Sequence, residues 1–192
     1  MPLQITPTTL PSPGRAKNAT ESIILPGVNI QGGSFSTLAP GANTIYYFPI
    51  HLIAPRTFTG LLCEVTTAAA SGKARMSLYN DDGDLTPGAL VVDGGEVDCS
   101  ATGVKESTLS VPLAAGRYLL GWNCNNGSIQ VRFARGYSEA LAILPTIGGN
   151  AFRSELTVSS AYGAFASTGV AWTSTGGFSQ PPPWFLFCRV AS

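Results

Sequence analysis

The sequence predicts an all-β protein: an antiparallel, jelly-roll-like β-sandwich carried on an extended N-terminal arm. Segments of five to ten residues alternate apolar with polar side chains, and Gly, Pro, Asn or Asp interrupts them about every ten positions. No twelve-residue window shows a helical stripe free of Gly and Pro. The 192 residues suffice for one core without metals or disulfides. We divide the chain into an arm at 1–27 and a sandwich domain at 28–192, the latter including a Gly/Ser/aromatic-rich excursion at 145–183.

The arm is dominated by Pro, Thr and Ser. Proline lacks a backbone donor and fixes φ, so this stretch is neither a helix nor a central strand. Its apolar run Ile23, Ile24 and Leu25 is placed to anchor it on a surface. Thr44–Ile53 reads as a long strand with Tyr46, Phe48, Ile50 and Leu52 on one face. Pro49 lies on the other phase and implies an edge or a bulge. Phe58–Thr66 follows. Lys73–Tyr79 then alternates with Met76 and Leu78 inward, which predicts one buried and one wet face.

Asn80-Asp81-Asp82-Gly83-Asp84 is a polar turn. Ala89–Gly95 reads as a short strand stopped by Gly94-Gly95. Lys105–Leu113 and Arg117–Cys124 follow, and Asn125-Asn126-Gly127 signals a hairpin into Ser128–Ala134. In that strand Ile129, Val131 and Phe133 face inward. The excursion carries Phe152, Tyr162, Phe165, Trp172 and Phe178 among its glycines, which a plain linker would not. Two readings stay open for it: an ordered segment that contacts a neighbour or ligand, or a loop that caps its own domain. Trp184–Val190 reads as a final strand completing a sheet beside an early one.

Charged residues make up only 11% of the chain, and the net charge is zero. An ordinary soluble domain has about 25%. A surface this poor in charge points to burial against other protein, or to a β-protein surface built of Ser, Thr, Asn and Gly. Eleven scattered basic residues form no footprint for a phosphate backbone, so no nucleic-acid partner is expected. No run of 18 apolar residues exists, so no membrane span is expected. The segment MPLQITPTTLPSPG has neither a charged nor an apolar signal region, so no signal peptide is expected.

Cys63, Cys99, Cys124 and Cys188 show no CxxC spacing and are read as reduced thiols rather than as disulfides or metal ligands. His51, the single histidine, lies in an apolar strand with no nucleophile motif beside it. In the Asn80–Asp84 turn an EF-hand would need glycine at the place of Leu85 and glutamate at that of Val91. The acids Glu64, Asp93, Glu96, Asp98, Glu106, Glu139 and Glu155 show no pairing that marks glycoside cleavage. We therefore expect no catalytic residues, no cofactor and no metal, and a protein that is not an enzyme.

Several segments carry a resemblance. They are Ile53-Ala54-Pro55-Arg56-Thr57-Phe58, Glu64–Ala70, Arg75-Met76-Ser77-Leu78-Tyr79-Asn80, Pro87–Asp93 and Gly116-Arg117-Tyr118-Leu119-Leu120. Over Tyr46–Trp122 the chain resembles jelly-roll virion structural proteins of tailed bacteriophages, of the tail-fibre or capsid-decoration type. The resemblance implies a β-sandwich commonly assembled as a homotrimer, located in the virion, with no catalytic residues.

The reading it favours is a tail-fibre or appendage module that docks on other virion proteins by its arm. Ile23, Ile24, Leu25, Phe152, Tyr162, Phe165, Trp172 and Phe178 are its candidate contacts with a partner, a second subunit or a host-surface glycan. A capsid decoration (cement) protein stapling capsid subunits is the alternative, and a polysaccharide depolymerase is the third reading.

Overall fold

In a computed structural model the chain is described over residues 21–24, 28–29, 35–83, 85–135, 137–138, 156–172, 174–175, 183–184 and 186–191. All regular structure among them is strand. The strands in chain order are β1 Glu21–Ile24, β2 Val28–Asn29, β3 Phe35–Leu38, β4 Thr44–Leu52, β5 Arg56–Thr67, β6 Lys73–Asp81, β7 Pro87–Asp98 and β8 Gly103–Leu113. They continue with β9 Gly116–Cys124, β10 Gln130–Arg135, β11 Tyr137–Ser138, β12 Leu156–Ser159, β13 Ser174–Thr175, β14 Pro183–Trp184 and β15 Phe187–Ala191.

The antiparallel pairings nest inside one another. β6 and β7 form the innermost hairpin, β5 pairs with β8, β4 with β9, and β3 with β10. Rolling such a ribbon onto itself gives two facing sheets, β4-β9-β6-β7 and β3-β10-β5-β8, and both are present. That nesting is the eight-strand jelly roll. Shorter strands extend it. β12 joins the free side of β4, with β13 on β12. β15 lies along the N-terminal part of β5 where β10 has left it, and β1 flanks β15. The last strand thus sits beside an early one, while Trp184, expected to open it, belongs to β14 and pairs with β10.

The main core lies between the sheets. Phe48, Ile50 and Leu52 of β4 share the inward face of one sheet with Met76, Leu78, Leu120 and Trp122, and Ile129, Val131 and Phe133 close the core from beyond it. These are the phases the alternation predicts. Pro49 stands opposite Leu119 of β9, in a strand that β12 flanks on its other side as far as Tyr47 among the described residues. None of the four cysteines forms a disulfide, and all four are buried. Burial pushes the Cys63 and Cys188 thiols up to about 12, and those of Cys99 and Cys124 up to about 11.

Three expectations are corrected. Gly94-Gly95 does not stop its strand, because β7 runs on to Asp98. Arg75 pairs with Glu96 and Ser77 with Asp93, so the two glycines stand opposite Met76 as a bulge, with Gly95 at φ +81°. Asn125-Asn126-Gly127 does not make a hairpin. It carries the chain from β9 in one sheet to β10 in the other. The second face of β6 is not wet, since Ser77 and Tyr79 are buried.

Candidate interaction surface

The outward face of the β4-β9-β6-β7 sheet is laid out in cross-strand rows. Tyr47, Gly121, Ser77 and Asp93 form one row, and Pro49, Leu119, Tyr79 and Leu90 the next. Gly121, with no side chain, leaves a trough beside the rings of Tyr47 and Tyr79, which meet edge-on with centroids 5.9 Å apart. A Cβ at position 121 would collide with the Ser77 hydroxyl.

Residues 156–175 cover this face. β12 adds to the β4 edge with Ser159 opposite Thr44. The Ser160 N–H donates to the Asn43 carbonyl at 2.9 Å, and the Tyr162 N–H to Asn43 Oδ1 at 3.0 Å. The segment then crosses to β7. The Tyr162 hydroxyl donates to Glu96 Oε2 at 2.9 Å, and the Phe165 N–H to Asp93 Oδ2 at 3.0 Å. The Phe165 ring drops into the trough, edge-on to Tyr79 at 6.2 Å, and joins Ile45, Tyr47, Tyr79, Leu119, Leu156 and Val158 in a second core.

Beyond Phe165 the chain runs along β7 as an added edge. The Tyr79 hydroxyl donates to the Ala166 carbonyl, Leu90 N–H to Ser167, and Gly169 N–H to Gly88. Trp172 packs half-buried against the second core, and β13 returns to pair with β12. We call residues 156–175 the strap. It belongs to the excursion expected either to contact a neighbour or to cap its own domain, and over these residues it caps its own sheet.

Charge holds the strap to β7. Burial alone would raise the Asp93 carboxyl. The Arg75 guanidinium at 2.8 Å and the Gly95 and Phe165 amides outweigh burial and keep it below the ordinary aspartate value. Lys73 at 2.6 Å and the Tyr162 hydroxyl hold the Glu96 carboxyl down as well. Burial lifts the Tyr47 hydroxyl, which faces the Val170 backbone, to about 12. Burial and then Glu96 raise the Tyr162 hydroxyl.

The remaining sequence-selected residues are placed as follows. Ile23 and Ile24 lie in β1. Leu25, Phe152 and Phe178 lie outside the described residues, as do Glu139 and Glu155. Tyr162 and Trp172 are half-buried and Phe165 is buried, all three against their own chain. His51 is exposed, opposite Arg117 in register. The Asp81 carboxylate takes Arg117 at 3.0 Å and accepts from the Gly83 N–H within its own turn. Glu64 is tied to Arg132, and Glu106 to Arg189. Asp98 accepts from the Ser100 N–H and hydroxyl. Among the described residues no group of three His, Cys, Asp or Glu could hold a metal ion, and no helix is long and apolar enough to cross a membrane.

Sequence reasoning missed Tyr47, Tyr79, Gly121 and Asp93. The signal for the two tyrosines was an aromatic on the phase of each strand that is not read as core. Among the described residues, the large apolar side chains left open are Ile53 at 87%, Val104 at 64% and Val170 at 43% exposure. No protein-family model matches the chain, and no curated protein matches it.

Proposed function

We propose that the chain is a non-enzymatic structural protein of a tailed-phage virion, an oligomeric tail-fibre or appendage module, most simply a homotrimer. It docks on other virion proteins through the residues ahead of β1. The observation that carries the reading is that the stretch bearing the resemblance, Tyr46–Trp122, builds β4 to β9, six strands of a nested jelly roll. Two further features support it. Carboxylates that a hydrolase would keep free, Glu64, Asp81, Asp93, Glu96 and Glu106, are each bound to an Arg or Lys of the same chain. A chain with 11% charged residues has little polar cover for a free surface.

The test is a truncation placed by the fold. Residues 21–24 belong to the sheet through β15, so the cut is made after Thr20. Loss of incorporation into particles, with an unchanged melting transition, supports docking by the arm. Full incorporation of the truncated chain sinks it. Immunogold labelling of intact particles separates the readings: label on the tail fits the appendage, and label over the capsid shell fits the decoration protein.

A further inference from the structure

We infer that the strap seals a hydration site on the β4-β9-β6-β7 sheet, in which one water molecule bridges Arg75, Ser77 and Asn123. Arg75 pairs with Asn123 across β6 and β9, and Ser77 with Gly121, so the four make one block of neighbouring positions on the covered face. Gly121 adds no side chain to it. Each of the other three holds one buried polar atom without a hydrogen-bond partner in the chain: Arg75 Nε, Ser77 Oγ and Asn123 Oδ1. Buried polar groups are nearly always paired, either with protein or with ordered water. Three orphaned atoms in one block call for a shared partner.

The other contacts of these side chains aim the orphaned atoms at the block. Arg75 Nη2 donates to Asp93 Oδ2 at 2.8 Å, and Asp93 stands opposite Ser77, so the Arg75 side chain runs along the sheet past Ser77. The Ser77 hydroxyl leans toward β9, where a Cβ on Gly121 would collide with it. Asn123 Nδ2 donates to the Ser160 carbonyl at 3.3 Å, which leaves Oδ1 as the unpaired end of the amide.

Chemistry selects the occupant. Arg75 Nε–H can only donate, Asn123 Oδ1 can only accept, and the Ser77 hydroxyl can do either. The bridging group must therefore accept and donate at one place. A halide cannot donate to Asn123, and a metal cation cannot accept from Arg75. Water does both, and a buried water makes about three hydrogen bonds. The strap supplies the lid. Its Ser160 carbonyl holds Asn123, its Phe165 ring lies over Gly121, and its Phe165 N–H shares the Asp93 carboxylate with Arg75. The water exchanges with bulk solvent when the strap lifts.

The test is water-selective NMR on the full chain with isotope-labelled arginine. The Arg75 Nε–H signal is identified by its loss in Arg75→Lys. Its expected cross-peak to water has opposite signs in the NOE and ROE spectra, as for a water that tumbles with the protein. The cross-peak should persist in Ser77→Ala, which removes any relay through the serine hydroxyl proton. It should lose most of its intensity in Phe165→Ala, which frees the strap. The inference is overturned by no dipolar cross-peak in the native chain, by one that vanishes in Ser77→Ala, or by one that Phe165→Ala leaves unchanged.

Discussion

Replacing Phe165 with Ala should release the strap while leaving the jelly roll folded. Phe165 is 8% exposed and is the ring that fills the trough over Gly121. Burying such a side chain is worth about 1.5–3 kcal/mol, and its edge-on contact with Tyr79 adds about 0.5–1.5 kcal/mol. The strap would therefore lose about 2–4 kcal/mol of its attachment. A rigid core would charge a further cavity term, but the strap is a single layer and can lift away instead of enclosing a void.

Native-state hydrogen exchange reads this directly. The Gly169 and Leu90 amides, whose acceptors lie across the strap boundary, should exchange roughly 30- to 1000-fold faster, at 1.4 kcal/mol per decade. Amides of β9, bonded within the sheet to β4 and β6, should change far less. Equal acceleration of strap and β9 amides would refute a separately attached strap. No acceleration at Gly169 would refute the anchoring role of the ring.

Three other outcomes follow from the same geometry. Gly121→Ala should destabilise by about 1–3 kcal/mol through overpacking, and Ser77→Ala in the same chain should recover part of that loss, because the Ser77 hydroxyl is what the new methyl meets; additive urea-melt shifts would count against this. Asp93 has a depressed folded pKa, so its contribution is complete above the unfolded aspartate range and is lost as pH falls through the folded value, below 3.8. Gly169 exchange protection, corrected for intrinsic rate, should therefore hold at neutral pH and fall only in that acid window, and Asp93→Asn should remove the acid step. The four buried thiols, raised to about 11–12, should resist alkylation at pH 8 and react together in denaturant; one fast native thiol would contradict their burial.

Much of the fold was legible in the residues themselves. A two-residue period tells which side chains share a face, and turn residues tell where a strand breaks, so β4, β5, β6, β8 and β9 were readable with Phe48, Ile50, Met76 and Leu78 inward. These are local facts of backbone geometry, available before any strand finds its partner.

Pairing decided the rest. Gly94-Gly95 looks the same as a strand end or as a bulge until Met76 is placed opposite it, and Asn125-Asn126-Gly127 looks the same whether it joins strands of one sheet or of two. Tyr79 sits on a phase that local alternation assigns to water, and Tyr47 on the phase of its strand that is not read as core. Only the return of residues more than 80 positions further along the chain, Phe165 above all, makes that phase a second core. Alternation reports that a strand has two different faces. What covers the second face depends on segments distant in sequence, and that is a property of the folded chain.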